Sequence, residues 1–410
     1  MDKVLLTIAD GRAVRVSAIS EGQSAQGVAT GLPGSSAAMN FPRDPANGSS
    51  GPASFQVEAM APVIVSASRS TDIPAFFASW FMKRLEAGYA VWVNPFNQVP
   101  SYVSFDRCRA VIFWSKNPRP MLKHLDRLDQ LGLGYYFQYT MNNYERENLE
   151  PKVPPLAKRI ETFRALSSRL GPDRVIWRWD PMILTPDLGP DEILSRVEAV
   201  GEQIFGLTRK LVFSFADVTA YRKVCSNLQK TGLYGNCPVE MAEGSSDEKN
   251  RLASGLAALR DSWRQRGWDL TLATCAEEVD LEALGIEKNR CIDPEILERN
   301  FAHDPALMAF LDGYRPKAAR KASDSFDLFA QGPDSGSSGS DSRSSFDYKK
   351  FKDKGQRKAC GCVMSKDIGM YSTCPHGCVY CYANSSMEAV RRNCDRFSSD
   401  GESLIPFRRS

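Results

Sequence analysis

The stretch Arg174-Val175-Ile176-Trp177-Arg178-Trp179-Asp180-Pro181 carries the pattern that decides the fold. An apolar run of β-prone residues ends there in a polar cluster, and a helical periodicity follows over residues 191–204. The same succession occurs in seven units between residues 60 and 320. Strands that alternate with helices in this way predict an α/β fold, either a parallel β/α barrel or an open α/β sheet.

The seven units also predict where a functional site lies. We expect strands at residues 63–67, 90–93, 110–114, 135–139, 174–177, 210–213 and 269–273. We expect helices at residues 76–85, 120–131, 156–168, 191–204, 251–265 and 294–311. The carboxyl ends of parallel strands converge on one rim, where barrel enzymes hold ligands and catalytic groups. The polar clusters after the strands therefore predict a shared site, although Asn, Asp and Pro at such positions also simply start turns. The rim residues are Arg69, Asp72, Lys116, Gln138, Arg178, Asp180, Asp217 and Glu277.

The chain divides into four predicted regions. Residues 1–59 comprise a β-hairpin around Asp10-Gly11 and a flexible arm rich in Gly, Ser and Pro. Residues 60–320 form the β/α region, and residues 321–348 form a flexible linker rich in Ser and Gly. Residues 349–410 comprise a basic segment and a cluster-binding, cysteine-rich region, which we expect to complete the barrel.

Composition narrows the function classes. The 410 residues carry a formal net charge of only +3, which excludes a polycation built to coat nucleic acid. The sequence shows neither a secretory signal nor an apolar run long enough to span a bilayer, so we expect a cytoplasmic protein with no membrane partner. The chain has 11 cysteines and only 3 histidines. In a reducing compartment, clustered cysteines favour metal or redox chemistry over disulfides.

Three cysteines near the C-terminus form the most informative motif. Cys374, Cys378 and Cys381 have the spacing C-x3-C-x2-C, and three thiolates in one short loop can bind three irons of a 4Fe-4S cluster. The fourth iron would stay open to a small molecule, whereas a structural zinc prefers four closed ligands. A zinc site and unliganded thiols are the alternatives. His376 would be a fourth ligand only with strain, because it lies so close to Cys374 and Cys378 in the chain.

This motif resembles the cluster motif of the radical S-adenosylmethionine superfamily. The resemblance implies that Cys374, Cys378 and Cys381 bind a 4Fe-4S cluster and that Tyr380 lies beside the adenine of S-adenosylmethionine. It also implies reductive cleavage of that cofactor, radical chemistry on a substrate, and an electron donor such as flavodoxin or ferredoxin. The sequence lacks the Gly-Gly-Glu signature that binds the methionine amino group in the superfamily. Positional candidates for cofactor binding are Asn94, Gln138, Arg178 and Ser214, and the candidate catalytic residues are Arg69, Asp72, Lys116 and Asp180.

More of the chain resembles the uncharacterised domain-of-unknown-function family 1848, usually grouped with that superfamily. The carrying segments include Ser68-Arg69-Ser70-Thr71-Asp72, Phe113-Trp114-Ser115-Lys116, Trp177-Arg178-Trp179-Asp180-Pro181 and Cys360-Gly361-Cys362. Most of the superfamily has the three-cysteine loop after the first barrel strand, whereas here it follows the last predicted strand, at residues 368–372. The resemblance therefore implies a partial or complete radical S-adenosylmethionine barrel that is circularly permuted, with the C-terminal strand beside residues 63–67.

Four further cysteines form a second group, comprising Cys275, Cys291, Cys360 and Cys362. Cys275 ends a predicted strand and the Cys360-Gly361-Cys362 segment precedes the last one, so the four thiols are candidates for a second iron-sulfur cluster or a zinc site. The alternative is that Cys275 and Cys291 are small buried apolar residues.

The substrate does not follow from the sequence. The basic segment 349–358 is either a solvated tether or a contact for an anionic partner. We therefore predict a radical S-adenosylmethionine enzyme acting on a small molecule, a peptide or a nucleic acid. The alternative from another class is a non-catalytic, zinc-stabilised module that binds nucleic acid.

Overall fold

A computed structural model describes residues 1–19, 54–275, 277, 279–315 and 360–407. The linker at 321–348 and the basic segment at 349–358 lie outside the described residues. The strands are β1 (Asp2–Ala9), β2 (Arg12–Ala18), β3 (Phe55–Ala61), β4 (Ile64–Ala67), β5 (Tyr89–Val93), β6 (Pro100–Ser104), β7 (Ala110–Ser115), β8 (Gly134–Thr140), β9 (Val175–Met182), β10 (Lys210–Phe215), β11 (Thr271–Thr274), β12 (Ile286–Lys288) and β13 (Lys366–Asp367). The α-helices are α1 (Ile73–Phe76), α2 (Ala78–Ala87), α3 (Leu125–Gln130), α4 (Leu156–Leu170), α5 (Pro190–Gln203), α6 (Arg222–Gln229), α7 (Ser246–Gln265), α8 (Pro294–Phe301), α9 (Pro305–Asp312) and α10 (Met387–Asp395).

The larger of two sheets has eight strands, all parallel, in the order β12-β11-β10-β9-β8-β7-β4-β13. The prediction of an α/β fold with a parallel sheet is therefore confirmed. Strands β12 and β13 are its edges, and no pairing in the described part of the chain joins them to close a barrel. The strand from the C-terminal region lies beside β4, with Lys366 opposite Val65 and Asp367 opposite Ser66.

Apolar residues cover both faces of the parallel sheet. On one face, alternate strand residues such as Ile112, Tyr136 and Val212 share a buried cluster with residues of α8 and α9. On the other face, Val111, Phe137 and Leu211 belong to a second buried cluster that includes residues of α2, α4, α5 and α7. This continuous burial is typical of parallel strands, whose two faces are both covered. Within the described residues, none of the helices combines the length and apolar composition that crossing a bilayer requires.

The smaller sheet corrects two predictions. It has five strands in the order β2-β1-β3-β6-β5. The strand predicted at 90–93 is β5 of this sheet, because residues 94–99 form a tight turn into antiparallel β6 and leave no room for a parallel crossover. The flexible arm was predicted to extend to residue 59, but Phe55–Ala61 is strand β3, paired with the hairpin strand β1.

Two other boundaries were wrong. The helix predicted at 294–311 is two helices, because Asp304 caps α9 through its side chain and Pro305 cannot continue α8. The last strand, predicted at 368–372, is β13 at Lys366–Asp367. Past β13 the backbone passes so close to the loop after β4 that a Cβ atom on Gly369 would lie 1.8 Å from Ser68 Oγ. Only glycine allows this approach.

Candidate functional site at the carboxyl edge of the parallel sheet

The three-cysteine loop lies at the carboxyl edge of the parallel sheet. His376 Nε2 lies 2.8 Å from Asp72 Oδ2, just beyond β4, and the Val379 amide donates to the Leu149 carbonyl over 2.9 Å. The amide of Lys152 donates to the His376 carbonyl over 3.1 Å, and the Asn384 side chain donates to the Cys374 carbonyl over 2.8 Å. The loop is thus fixed to the body of the protein at Asp72 of the predicted rim and at Leu149 and Lys152 beside it.

The three loop thiols are partly buried and lie within electrostatic range of one another. Burial raises the pKa of Cys374 to about 12, and the charge of Cys381 contributes to the rise. Burial raises the pKa of Cys378 well above its ordinary value even though Lys116 opposes the shift. Both thiols are therefore protonated at neutral pH in the protein alone, and a metal would have to displace those protons.

The loop supplies sulfur donors that suit iron or zinc, and its backbone turns at Gly377, whose φ is +69°. The donor types therefore fit the cluster that the sequence predicts. Throughout the described ranges, no three His, Cys, Asp or Glu side chains already form a ready-made metal-binding group. The three thiols are thus neighbours in a preformed loop without being a closed ligand set.

Asp72 connects this loop to two strands. Its carboxylate accepts hydrogen bonds from the Ala75 amide (3.0 Å), the Ser115 hydroxyl (2.7 Å) and the Lys116 amide (2.8 Å). With His376 beside it as well, this buried carboxylate has four polar neighbours. Asp72, predicted to be catalytic, thus lies where it positions His376, and the imidazole faces Asp72.

A buried polar network joins Tyr380 to the rim. Lys116 Nζ lies 2.7 Å from Glu150 Oε1 and donates to the Tyr380 hydroxyl over 2.9 Å. Asn142 Nδ2 donates to Glu150 and to Tyr380 over 3.1 Å each, and the Tyr380 hydroxyl also donates to Glu150. Burial raises the pKa of Glu150, but Lys116 and Arg159 outweigh this and hold it below its ordinary value. The carboxylate is therefore charged and paired at neutral pH.

Glu150 and Asn142 are site residues that sequence reasoning missed. Asn142 stood in a predicted polar cluster but was not selected, and nothing distinguished it from a turn residue. Glu150 lies ten positions beyond the end of β8, so no strand-end rule pointed to it. Only the folding of the 141–155 segment against the cysteine loop brings it to the rim.

A second polar group lies on β9 and its neighbours. Arg178 donates to Gln138 Oε1 over 2.9 Å and pairs with Asp180, and the Ser214 hydroxyl donates to Asp180. The structure therefore brings Gln138, Arg178, Asp180 and Ser214 together, as their strand positions predict. Burial raises the pKa of Asp180, but Arg178 and the hydrogen bond from Ser214 together outweigh this and lower it overall.

Of the other rim residues, Arg69 lies at this edge. Its guanidinium carbon is 5.1 Å from the centroid of the Trp114 ring, and its carbonyl accepts from the Tyr382 hydroxyl over 3.3 Å. Glu277 accepts from the Phe215 amide over 2.9 Å, and Asp217 is exposed.

Asn94 does not lie at this edge. It begins the turn between β5 and β6 of the smaller sheet, where its side chain accepts from the Phe96 amide over 2.9 Å. Its selection as a cofactor-binding candidate assumed that β5 belongs to the parallel sheet, and this assumption was wrong.

The second group of cysteines meets beyond β11 and β12. Cys275 Sγ and Cys291 Sγ are 3.5 Å apart, and the Cys291 amide donates to Cys362 Sγ over 3.2 Å. Arg178 donates to Cys291 Sγ over 3.3 Å, so this group adjoins the polar group on β9. Four cysteines from three separate segments of the chain are thus neighbours.

A known protein family matches the part of the chain that carries these features. The family model described as "Domain of unknown function (DUF1848)" matches residues 64–383, from β4 through the three-cysteine loop. No curated protein matches the chain. The matched residues make up more than three quarters of the chain and include both cysteine groups. The chain therefore belongs to the DUF1848 family.

Proposed function

We propose that this protein is a radical S-adenosylmethionine enzyme whose 4Fe-4S cluster is held by Cys374, Cys378 and Cys381. The observation that carries the proposal concerns Tyr380, which stands between Cys378 and Cys381 in the sequence. Its hydroxyl hydrogen-bonds with Lys116, Asn142 and Glu150. These hydrogen bonds hold the cysteine loop against the rim where the sequence predicts the binding residues. Bound and reduced, such a cluster supplies the electron that breaks a carbon-sulfur bond of S-adenosylmethionine and so starts radical chemistry.

The rim residues would then divide into two roles. Lys116 lowers the pKa of the Cys378 thiol and so favours the thiolate that a metal requires. The Arg178-Gln138-Asp180-Ser214 group presents both a cation and carboxylate oxygens, which suit the carboxylate and amino groups of a bound amino acid. Tyr380 keeps its hydroxyl in the Lys116-Glu150 network, and its ring is the aromatic surface that would lie beside the adenine of the cofactor.

The polar residues at the carboxyl edge of the sheet do not single out a substrate. A small molecule, a peptide and a nucleic acid all stay within the proposal, and an electron donor such as flavodoxin or ferredoxin would be its redox partner. Since the cofactor supplies the radical, substrate specificity would come from rim residues such as Arg69 and from the stacking surface of Trp114.

The test is anaerobic reconstitution of the full chain with iron and sulfide. We expect about four irons and four sulfides per chain and, with a reductant, release of an adenosine product from S-adenosylmethionine. The variant with Cys374, Cys378 and Cys381 all changed to Ala should lose both. The matched control is Cys394→Ala, which removes a partly buried thiol near the loop but outside the motif.

A wild-type chain that takes up no iron under these conditions and releases no adenosine product would overturn the proposal. Tight nucleic-acid binding by such a chain would favour the non-catalytic module instead. Zinc retention alone decides nothing about the loop, because a second group of thiols is present.

A further inference from the structure

Four thiols outside the three-cysteine loop form a continuous chain of contacts. Cys275 Sγ is 3.5 Å from Cys291 Sγ, Cys362 Sγ accepts from the Cys291 amide over 3.2 Å, and Cys360, two residues before Cys362, lies close enough to interact electrostatically with the other three thiols. Cys291 and Cys362 are buried, whereas Cys275 and Cys360 at the two ends of the chain of contacts are partly exposed. An arrangement of four sulfur atoms from distant segments is more than the packing of small apolar residues requires.

The surroundings of the two central sulfur atoms suit negative charge. Cys291 Sγ accepts from Arg178 over 3.3 Å and from Asn289 Nδ2 over 3.4 Å. Cys362 Sγ lies 3.5 Å from a second amide donor, that of Ile292. N–H donors and a cation of this kind stabilise metal-bound thiolates and fix their orientation.

The sulfur spacing distinguishes between kinds of metal centre. Ligands on one tetrahedral zinc at about 2.3 Å lie about 3.8 Å from one another, close to the 3.5 Å between Cys275 and Cys291. A 4Fe-4S cluster would bind each cysteine to a different iron and hold the sulfur atoms much farther apart. The short distance therefore favours a single ion.

We propose that Cys275, Cys291, Cys360 and Cys362 bind one zinc ion as four thiolate ligands. The described residues contain no three side chains already gathered around one point, so binding would draw the two outer thiols, Cys275 and Cys360, toward the central pair. This site is separate from the cluster site proposed for the loop, and neither proposal depends on the other.

The position of the zinc site gives it a structural role. Two of its ligands follow β11 and β12, and the other two stand just before β13. One ion would therefore join the two edge strands of the parallel sheet across residues that strand pairing does not connect. It would also hold the segment that carries the three-cysteine loop, because structural zinc contributes directly to folding free energy.

The test uses the full chain with Cys374, Cys378 and Cys381 changed to Ala, so that loop thiols cannot contribute. Purified from zinc-supplemented cells, this variant should contain about one zinc per chain by elemental analysis. Adding Cys362→Ser should reduce zinc to background, and adding Cys225→Ser, a partly buried thiol outside both groups, should leave it unchanged.

X-ray absorption at the zinc edge on the folded loop variant keeps the test decisive if Cys362→Ser fails to fold. We expect four sulfur neighbours at about 2.3 Å. Background zinc, coordination by nitrogen or oxygen, iron with sulfide in place of zinc, or a Cys275-Cys291 disulfide in mass spectra would each overturn the proposal. None of these results depends on whether the loop binds a cluster.

Discussion

The two groups of cysteines differ in how the chain assembles them. The loop group spans eight consecutive positions, its thiols influence one another electrostatically, and Tyr380 within the loop joins the network of Lys116, Asn142 and Glu150. The second group comes from three segments of the chain and includes two sulfur atoms only 3.5 Å apart, beside a guanidinium. The spacing of cysteines in the sequence therefore indicates metal or redox chemistry, whereas the distance between sulfur atoms distinguishes a single zinc ion from an iron-sulfur cluster.

Single substitutions should separate the two groups most strongly. We expect Cys378→Ala to abolish iron uptake and adenosine release while zinc stays near one per chain. Cys362→Ser should do the reverse, losing zinc while still taking up iron on reconstitution. Elemental analysis of both purified variants measures this crossed pattern. Loss of both metals in each variant, with both variants still folded by circular dichroism, would show that the groups form one site.

The Lys116-Glu150 pair should contribute the largest single effect on stability. Lys116→Met leaves a buried carboxylate without its nearest cation, so we expect the free energy of unfolding to fall by about 3 kcal/mol in urea denaturation. Lys158→Met, which breaks an exposed pair with Glu161, should cost less than about 1 kcal/mol. Equal losses in the two variants would show that the buried network does not hold the rim together.

Asp72→Asn should loosen the cysteine loop without removing a ligand. The amide lacks the charge that orients His376 and the Lys116 amide, so we expect iron affinity to fall by about 10-fold to 100-fold with little change in zinc. Chelator competition on the reconstituted protein measures the affinity. Unchanged iron affinity would show that Asp72 does not position the loop.

Lowering the pH should reduce the stability of the folded protein by protonating Glu150. Its pKa in the folded protein lies below the ordinary value of 4.5, so its contribution to stability is present above pH 4.5 and is lost as pH falls through the folded pKa. We expect wild-type protein to lose more stability than Glu150→Gln between pH about 5 and pH about 3. Urea denaturation across this range tests it, and parallel losses in the two proteins would contradict the assignment.

Asn94→Ala should have the smallest effect. The residue lies in the turn of the smaller sheet, so we expect adenosine release and both metal contents to match the wild type, with a stability change within about 1 kcal/mol. A large loss of cofactor cleavage would show that Asn94 contributes to the site and would contradict its position in the smaller sheet.

Much of the fold was predictable because parallel strands have a strong local signature. Runs such as Val175-Ile176-Trp177 are apolar on both faces and end in polar clusters, so six of the seven predicted strands lie in the parallel sheet. The seventh, at Ala90–Val93, has the same composition, but the short turn at Asn94-Pro95 sends the chain back as an antiparallel partner. Composition alone does not distinguish these cases; the length of the connection does.

The site was predictable where strand ends supply it and unpredictable where loops do. Gln138, Arg178, Asp180 and Ser214 meet because strand register brings them together. Glu150 reaches the rim only through the packing of a long segment against the cysteine loop, and no local pattern encodes that contact. The contacts among Cys275, Cys291 and Cys362 likewise depend on tertiary folding, because they join residues 16 and 71 positions apart in the chain.

Electron paramagnetic resonance of the reconstituted, reduced protein tests the central claim most directly. We expect a cluster signal in the wild type that changes when S-adenosylmethionine is added, because an iron without a cysteine ligand is open to the cofactor. The signal should be absent from the variant with Cys374, Cys378 and Cys381 changed to Ala and retained in Cys394→Ala. A wild-type signal that S-adenosylmethionine leaves unchanged, or one that survives loss of the three loop cysteines, would contradict the claim.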